Sequence, residues 1–156
     1  MPHSVETLQA MKRVVSIKPA STWGVDGAID RVVLDAGDRQ RRRAVLTGEK
    51  GAAFLLDLEK PATLRDGDGL VLDDGSIVLV AGAPEALLEI ITHSKLDTLR
   101  LAWHIGNRHA ELQVVGEALR IRRDHVLEDM LRGQGAQLKP VEAAFDPLAP
   151  DGTNGS

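Results

Sequence analysis

The chain has 156 residues and no cysteine, and 19 lysines and arginines against 23 aspartates and glutamates give a formal net charge of −4. The missing cysteines exclude a disulfide framework, a thiolate zinc site and a cysteine nucleophile. No apolar run approaches the roughly 20 residues that cross a bilayer, and the first residues lack a secretory signal, so we expect a cytoplasmic protein without a membrane partner.

The first half of the chain has the pattern of a β-rich domain. Short apolar or β-branched runs are separated by Asp and Gly, and no long helical period appears. Asp-Gly pairs at 66–67, 68–69 and 74–75 supply the positive-φ residues that tight turns need. The predicted strands are residues 31–34, 41–46, 52–58, 70–72 and 76–80.

A connector at residues 82–84 leads into a second half of different character. Residues 86–92 (ALLEIIT) predict a strand, and a helix that starts at Pro84 is the alternative. Residues 95–107 predict a helix, because a capping Ser94 stands three residues before an acidic side chain. Its apolar residues recur at i, i+3 and i+7 and share one helical face: Leu96, Leu99 and Trp103.

The rest of the chain predicts a β-hairpin, a helix and a last strand. The hairpin comprises residues 111–115 and 118–121, and Asp124 is a good N-cap for the helix, which ends at Gly133 or Gly135. The last strand covers residues 138–144. The inner face of the helix is predicted to comprise Val126, Leu127, Met130 and Leu131.

From residue 86 onwards the element order is therefore β-α-β-β-α-β, the ferredoxin-like arrangement. The predicted fold class is α+β, with an N-terminal all-β domain followed by a ferredoxin-like domain. We place the first domain at residues 1–82 and the second at 83–148. Residues 149–156 are expected to form a disordered tail, since they have nothing to bury.

Two histidines near the end of the first predicted helix are the main candidates for metal chemistry. His104 and His109 stand five residues apart, so an ideal helix turns one about 140° away from the other and a strand puts them on opposite sides. One chain therefore does not easily grip an ion with both. In a twofold dimer, by contrast, one histidine can meet its symmetry mate. The alternative is structural, with His104 packed beneath the helix and His109 at its end.

His125 is a further candidate ligand, at the start of the second predicted helix. The positive end of the helix dipole favours the neutral imidazole that binds metal. Asp124 would then cap the helix, bind the ion or orient an imidazole. The alternative is a cap followed by a surface histidine.

Two arginine clusters stand out against the acidic total. Residues 39–43 (RQRRR) form one, and Arg120, Arg122 and Arg123 form the other. No aromatic residues interleave them, so base stacking is unsupported and no nucleic-acid partner is expected. A solvated strand face, or a surface for an acidic protein, explains these runs better. No motif of a catalytic constellation occurs, so we expect no enzymatic activity.

Several of these segments resemble the urease accessory protein UreE family. In the second half they are WHIGNRH (103–109), Leu119-Arg120, DHVLEDML (124–131) and AFDP (144–147), and in the first half DRQRRR (38–43), GAAFLLDL (51–58) and LRDGDGL (64–70). The resemblance covers residues 14 to 147. It implies a nickel metallochaperone that forms a homodimer through a ferredoxin-like metal-binding domain and carries an N-terminal domain thought to bind polypeptide.

The resemblance also implies ligands and partners. The principal metal ligand is the histidine that ends GNRH, which is His109 here, and secondary ligands fall at His104 and His125. Ni(II) is the implied ion, and Zn(II) or Cu(II) can substitute because imidazole suits all three. The implied partners are a second copy of the chain, the urease accessory GTPase and the apo-urease complex.

The sequence departs from the family at two places. Arg123 stands where a further family histidine is expected, and the residues after Pro150 lack the histidine-rich tail of many members. High-capacity metal storage is therefore not expected, and Asp146 or Asp151 is left as an oxygen ligand. The alternative function is a polypeptide-binding interaction module of urease maturation with incidental metal binding, which rests on strand edges near Trp23 and on the arginines of residues 39–43.

Overall fold

A computed structural model describes residues 5–148. The chain forms two compact units, which divide between Gly82 and Ala83. None of the helices in the described residues has the length and apolar character that a membrane crossing requires. The predicted tail at residues 149–156 lies outside the described residues.

The first unit is a six-stranded sheet that follows a short helix. Its strand order is β2-β6-β5-β1-β4-β3, with parallel pairing of β1 with β4 and of β2 with β6 and antiparallel pairing elsewhere. The elements are α1 (Val5–Ala10), β1 (Lys12–Lys18), β2 (Asp30–Leu34), β3 (Gln40–Thr47), β4 (Ala53–Thr63), β5 (Gly69–Leu72) and β6 (Ile77–Gly82).

Alternating strand positions build the core of this unit, as expected of a sheet with one buried face. The interior strand β1, which the sequence analysis did not predict, contributes only Val14 as a buried residue, with Ile17 partly buried. Lysines and arginine flank these two positions, so the apolar signal of β1 is weak even though the strand lies between β5 and β4. The other core residues include Phe54, Leu56, Leu70, Leu72, Val78 and Val80.

Asp30 ties β2 to the turn between β3 and β4. Asp30 is only 4% exposed. Its carboxylate accepts hydrogen bonds from the backbone N–H groups of Arg31 at 2.7 Å, Lys50 at 2.9 Å and Ala52 at 3.0 Å. Burial alone would raise the pKa of this carboxyl, but the three backbone donors outweigh burial and lower the pKa below its ordinary value. A Cβ on Gly48 would collide with the carboxylate, so glycine is required beside it.

The predicted Asp-Gly turns are right at two of three places. Gly67 and Gly75 have φ of 92° and 85°. The prediction is wrong for Gly69, which belongs to β5. There the constraint is space: a Cβ on Gly69 would lie 2.7 Å from the ring of Trp23, whose indole N–H donates to the Gly67 carbonyl at 3.1 Å.

The second unit is a four-stranded antiparallel sheet in the order β10-β7-β9-β8. Its apolar residues and those of two helices form one core on one face of the sheet. The predicted fold class, with its ferredoxin-like second domain, is confirmed. The alternative helix at Pro84 is wrong, because β7 begins there. The elements are β7 (Pro84–Ile91), α2 (Lys95–Asn107), β8 (Gln113–Val115), β9 (Ala118–Arg122), α3 (His125–Gly133) and β10 (Gln137–Ala144).

Helix α2 has the predicted bounds, and the Ser94 hydroxyl accepts the Asp97 N–H at 3.1 Å. The apolar face singled out in the sequence, however, does not meet the sheet. Leu101 and Ile105 are buried instead. Positions two residues away from Leu101 lie about 200° around the helix, and so on the opposite face. The outward residues are Leu96, Leu99 and Trp103, which are 74%, 69% and 64% exposed.

Helix α3 begins after Asp124, whose carboxylate accepts the Leu127 N–H at 3.0 Å. Leu127 and Leu131 are buried as predicted, and Met130 packs against the same core. The prediction is wrong for Val126, which is 62% exposed. One residue turns an α-helix by about 100°, so Val126 points away when Leu127 faces the sheet.

The Asp30 carboxylate provides a test of the first unit. We expect Asp30→Asn to destabilise the chain by about 2–3 kcal/mol at neutral pH, because an amide cannot accept all three N–H bonds and sets its own NH₂ against a donor. Urea unfolding measures the difference.

The lowered pKa sets the pH dependence of this effect. A carboxyl whose pKa is lower in the folded state contributes stability above its unfolded pKa and loses it as pH falls through the folded value. The difference in the free energy of unfolding between the parent chain and Asp30→Asn should therefore become smaller below about pH 4. A difference in the free energy of unfolding that stays constant down to about pH 2 would contradict this role for the ionised carboxylate.

Candidate metal centre

Helix α2 ends in a Schellman motif that has His109 at its turning point. The Ala110 N–H reaches back to the Ile105 carbonyl at 3.3 Å, and the His109 N–H donates to the Gly106 carbonyl at 2.9 Å. These are the two bonds that define the motif, and they require a left-handed residue between the helix and the following chain. His109 adopts that conformation, with a φ of 59°.

Helix α3 ends with the same pair of bonds, but a glycine takes the left-handed position. The Ala136 N–H donates to the Leu131 carbonyl at 3.1 Å and the Gly135 N–H to the Arg132 carbonyl at 3.0 Å. Gly135 has a φ of 83°. Glycine adopts this backbone readily because it has no Cβ. The two helices thus differ in that α2 carries an imidazole where local folding favours glycine.

This conformation gives His109 a local cost of order 1 kcal/mol. Among the residues that the structure describes, Ser21 is the other non-glycine residue with positive φ. The His109 side chain is exposed, so packing does not repay the cost. Strain of this kind concentrates at functional sites, which makes His109 the best-supported site residue of the predicted three.

His104 lies one turn earlier, in the last turn of α2. It is half-buried, and its ring stands edge-on to Trp103 with 5.0 Å between ring centroids and an interplanar angle of 77°. The residue is therefore partly occupied by contacts within α2. It also adjoins the exposed apolar face of that helix.

His125 is the first residue of α3, directly after the Asp124 cap. Its side chain is 93% exposed, and its Nε2 lies 3.9 Å from the Asp129 carboxylate one turn further on. The imidazole is thus available from solvent. The structure therefore contains the cap and the surface histidine of the alternative interpretation.

The fold brings the segments of His109 and His125 to the same end of the domain. Because β7 and β9 are antiparallel, the end of α2 and the start of α3 lie at one end of the sheet. Glu111, two residues after His109, accepts from Arg122, three residues before His125, at 2.5 Å. No group of three or more histidine and acidic side chains within residues 5–148 is arranged to hold a metal ion.

The arginines of the second unit do not form the positive patch considered from the sequence. Arg122 donates to Glu85 as well as to Glu111, and its guanidinium lies 4.8 Å above the buried ring of Phe145. Arg120 is paired with Glu89 and Arg123 with Glu128. These residues hold the sheet and helix ends together. Glu85 and Glu89 lie more than 30 residues from their arginines in the sequence, so no local pattern pointed to these two pairs.

The structure also changes the interpretation of the arginines at residues 39–43 in the first unit. Arg39 is only 1% exposed, and its guanidinium donates to the carbonyls of Leu34 and Leu64. It therefore cannot belong to a surface patch. Arg41 is paired with Asp38 at 2.9 Å. Trp23, the other feature behind the polypeptide-binding alternative, is half-buried against Gly69.

The chain after β10 returns to the segment that follows His109. The Asp146 N–H donates to the Gln113 side-chain carbonyl at 3.1 Å, and the Leu148 N–H donates to the Leu112 carbonyl at 2.8 Å. Asp146, considered as an oxygen ligand, thus lies beside residues close to His109 in the chain. Asp151, the other acidic candidate, lies outside the described residues.

Comparison with known proteins gives the same family for both units. The family model of the UreE urease accessory protein N-terminal domain matches residues 12–83, and that of the C-terminal domain matches residues 85–156. The relatives discussed below all carry the name urease accessory protein UreE.

Two relatives come from Rhodopseudomonas palustris. The strain HaA2 protein is 56% identical over 120 residues, which cover 77% of this chain and 56% of the relative. The strain BisB18 protein is 49% identical over 137 residues, which cover 88% and 64%. The chain thus spans between half and two thirds of the length of these two relatives.

A relative from Beijerinckia indica is covered more fully. It is 43% identical over 137 residues, which make up 88% of this chain and 79% of the relative. Both halves of the chain and the segments around His109 and His125 fall within the matched family domains. The chain therefore belongs to the UreE family of urease accessory proteins.

Proposed function

We propose that this protein is a nickel metallochaperone of urease maturation, and that a homodimer holds one Ni(II) ion between the His109 imidazoles of its two protomers. The observation that carries the proposal is the left-handed backbone of His109, with a φ of 59° and an exposed side chain. A chain selected only for stability would favour glycine there, as α3 has at Gly135. Retention of histidine is explained if the imidazole binds an ion.

Twofold symmetry provides what one chain lacks. Residues 5–148 of a single chain contain no three-ligand cluster. A symmetric dimer places the same residue of each protomer on the axis, so one exposed histidine becomes a pair. We propose His104 and His125 as auxiliary ligands, since each lies on the same unit as His109 and His125 is accessible from solvent.

The outward face of α2 is the proposed dimer surface. Leu96, Leu99 and Trp103 are all more than 60% exposed in the single chain, and Val114 on the edge strand β8 is 49% exposed. Neighbouring exposed apolar residues on a helix mark an interaction surface. The same helix leads directly into His109, so a second copy packed on this face can bring the two imidazoles together.

The ligand set is suited to transfer of the ion rather than to permanent storage. Neutral imidazole binds Ni(II), Zn(II) and Cu(II), and open positions taken by water or carboxylate allow ligand exchange. We propose that the ion passes through the urease accessory GTPase to the apo-urease complex, without catalytic turnover by this chain. Zn(II) and Cu(II) are expected to compete for the same histidines.

Calorimetric titration with Ni(II) tests the site. We expect one ion per two chains, and a loss of affinity of about 100-fold or more in His109→Gly, because both principal ligands disappear together. The same substitution should raise the free energy of unfolding by about 1 kcal/mol, since glycine relieves the left-handed strain. Loss of metal without loss of fold distinguishes a ligand from a structural residue.

The control for this titration is His93→Ala, which removes an exposed histidine outside the proposed ligand set. Binding should be unchanged in this variant. His104→Ala and His125→Ala should weaken binding several-fold while one ion per two chains is kept. Unchanged Ni(II) binding in His109→Gly would refute the assignment.

Sedimentation analysis tests the dimer surface. Leu99→Asp places a charge in the proposed apolar contact and is expected to yield monomers, with little change in the stability of the single chain because Leu99 is exposed. Val25→Asp is the matched control, since Val25 is 50% exposed but lies in the first unit. A Leu99→Asp chain that still dimerises like the parent would exclude this face.

A further inference from the structure

Arg108, the residue directly before His109, differs from every other arginine in the described part of the second unit. The other five arginines in residues 83–148 each have a carboxylate within 4.0 Å. These pairs are Arg100 with Asp97, Arg120 with Glu89, Arg122 with Glu85 and Glu111, Arg123 with Glu128, and Arg132 with Glu128.

Arg108 is exposed and has no ion pair or side-chain hydrogen bond with the residues that the structure describes. Glu111, the nearest acidic residue that follows it in the chain, is directed to Arg122 at 2.5 Å. The backbone N–H of Arg108 donates to Gly106 and Ile105 within the helix end. A full positive charge is therefore left uncompensated next to the proposed ligand.

Coulomb repulsion from this charge acts on any cation held by His109. A guanidinium stays protonated across the physiological pH range, so the repulsion is permanent. A separation of about 10 Å between the guanidinium and the ion is close to the Debye length at ~0.1 M salt, so the strength of the repulsion depends on the salt concentration. In a twofold dimer two Arg108 side chains act on one ion, while the imidazole ligands and their geometry are untouched.

We propose that Arg108 weakens cation binding at His109 and thereby sets an affinity low enough for the ion to be released to the next protein. The inference rests on the proposed nickel site and concerns its regulation. It gives a role to the one arginine in the described part of this unit that has no carboxylate within 4.0 Å.

The experiment is a Ni(II) titration of the full chain with Arg108→Gln at several concentrations of a non-coordinating salt. The two Arg108 charges of a dimer, each about 10 Å from the divalent ion in water, repel that ion. Their removal predicts binding about eightfold tighter than in the parent chain at ~0.01 M salt and about threefold tighter at ~0.1 M. The difference should vanish near ~1 M salt. Arg108→Lys, which keeps the charge, should bind like the parent.

Arg42→Gln is the matched control. Arg42 is exposed on β3 in the first unit and has no carboxylate within 4.0 Å among residues 5–148, so this variant makes the same change in net charge far from His109 in the sequence. It should not alter the affinity. A purely structural role of Arg108 at the helix end would change unfolding but would not produce the salt-dependent difference in affinity.

Two results would overturn the inference. Equal affinity of Arg108→Gln and the parent chain would show that the charge has no effect, and weaker binding would indicate that Arg108 orients a ligand instead. His109→Gly in the same titration keeps the two proposals apart. If His109→Gly loses the ion and Arg108→Gln changes nothing, the nickel site stands and only the role of Arg108 fails.

Discussion

The left-handed backbone at His109 is the constraint on which the proposed metal chemistry of the second unit depends. It ends α2, turns the chain so that Ala110 returns to the core beside Ile105, and leaves the imidazole outside. The next residues then reach Arg122 through Glu111, which fixes the chain against β9. The end of α2 thus holds one exposed imidazole in a fixed backbone turn, at a local cost that a well-packed ferredoxin-like core can offset.

The arginines around the end of α2 differ in whether a carboxylate pairs with them. The sheet and helix ends are crossed by arginine–carboxylate pairs, several of them half-buried, as with Arg120 and Glu89. Exposed pairs of this kind contribute little to stability individually, but they neutralise the surface around the histidines. Arg108 is left out of this pattern. This unpaired charge beside His109 is the observation behind the proposal that Arg108 weakens cation binding there.

Much of the fold could be predicted from local sequence. The bounds of α2, the caps at Ser94 and Asp124 and the ferredoxin-like order follow from side chains that act within one or two turns. Strand β1 could not be recognised, because its place depends on pairing with β4 and β5 far along the chain and its own apolar pattern is weak. The outward face of α2 was misleading for a similar reason: two apolar stripes are present, and only the sheet decides which is buried.

The candidate site divides in the same way. The sequence by itself determined that any metal function must use imidazole and carboxylate, and the GNRH and DHVLEDML segments directed attention to His109, His104 and His125. Only the tertiary structure decided that His109 occupies a strained glycine position, that Arg39 is buried, and that Arg108 alone among the described arginines of its unit lacks a carboxylate. Residue type and spacing can be read from the chain directly. The burial of Arg39 and the pairing of Arg120 and Arg122 depend instead on partners that the fold brings from distant parts of the chain, and the turn at His109 depends on how α2 ends.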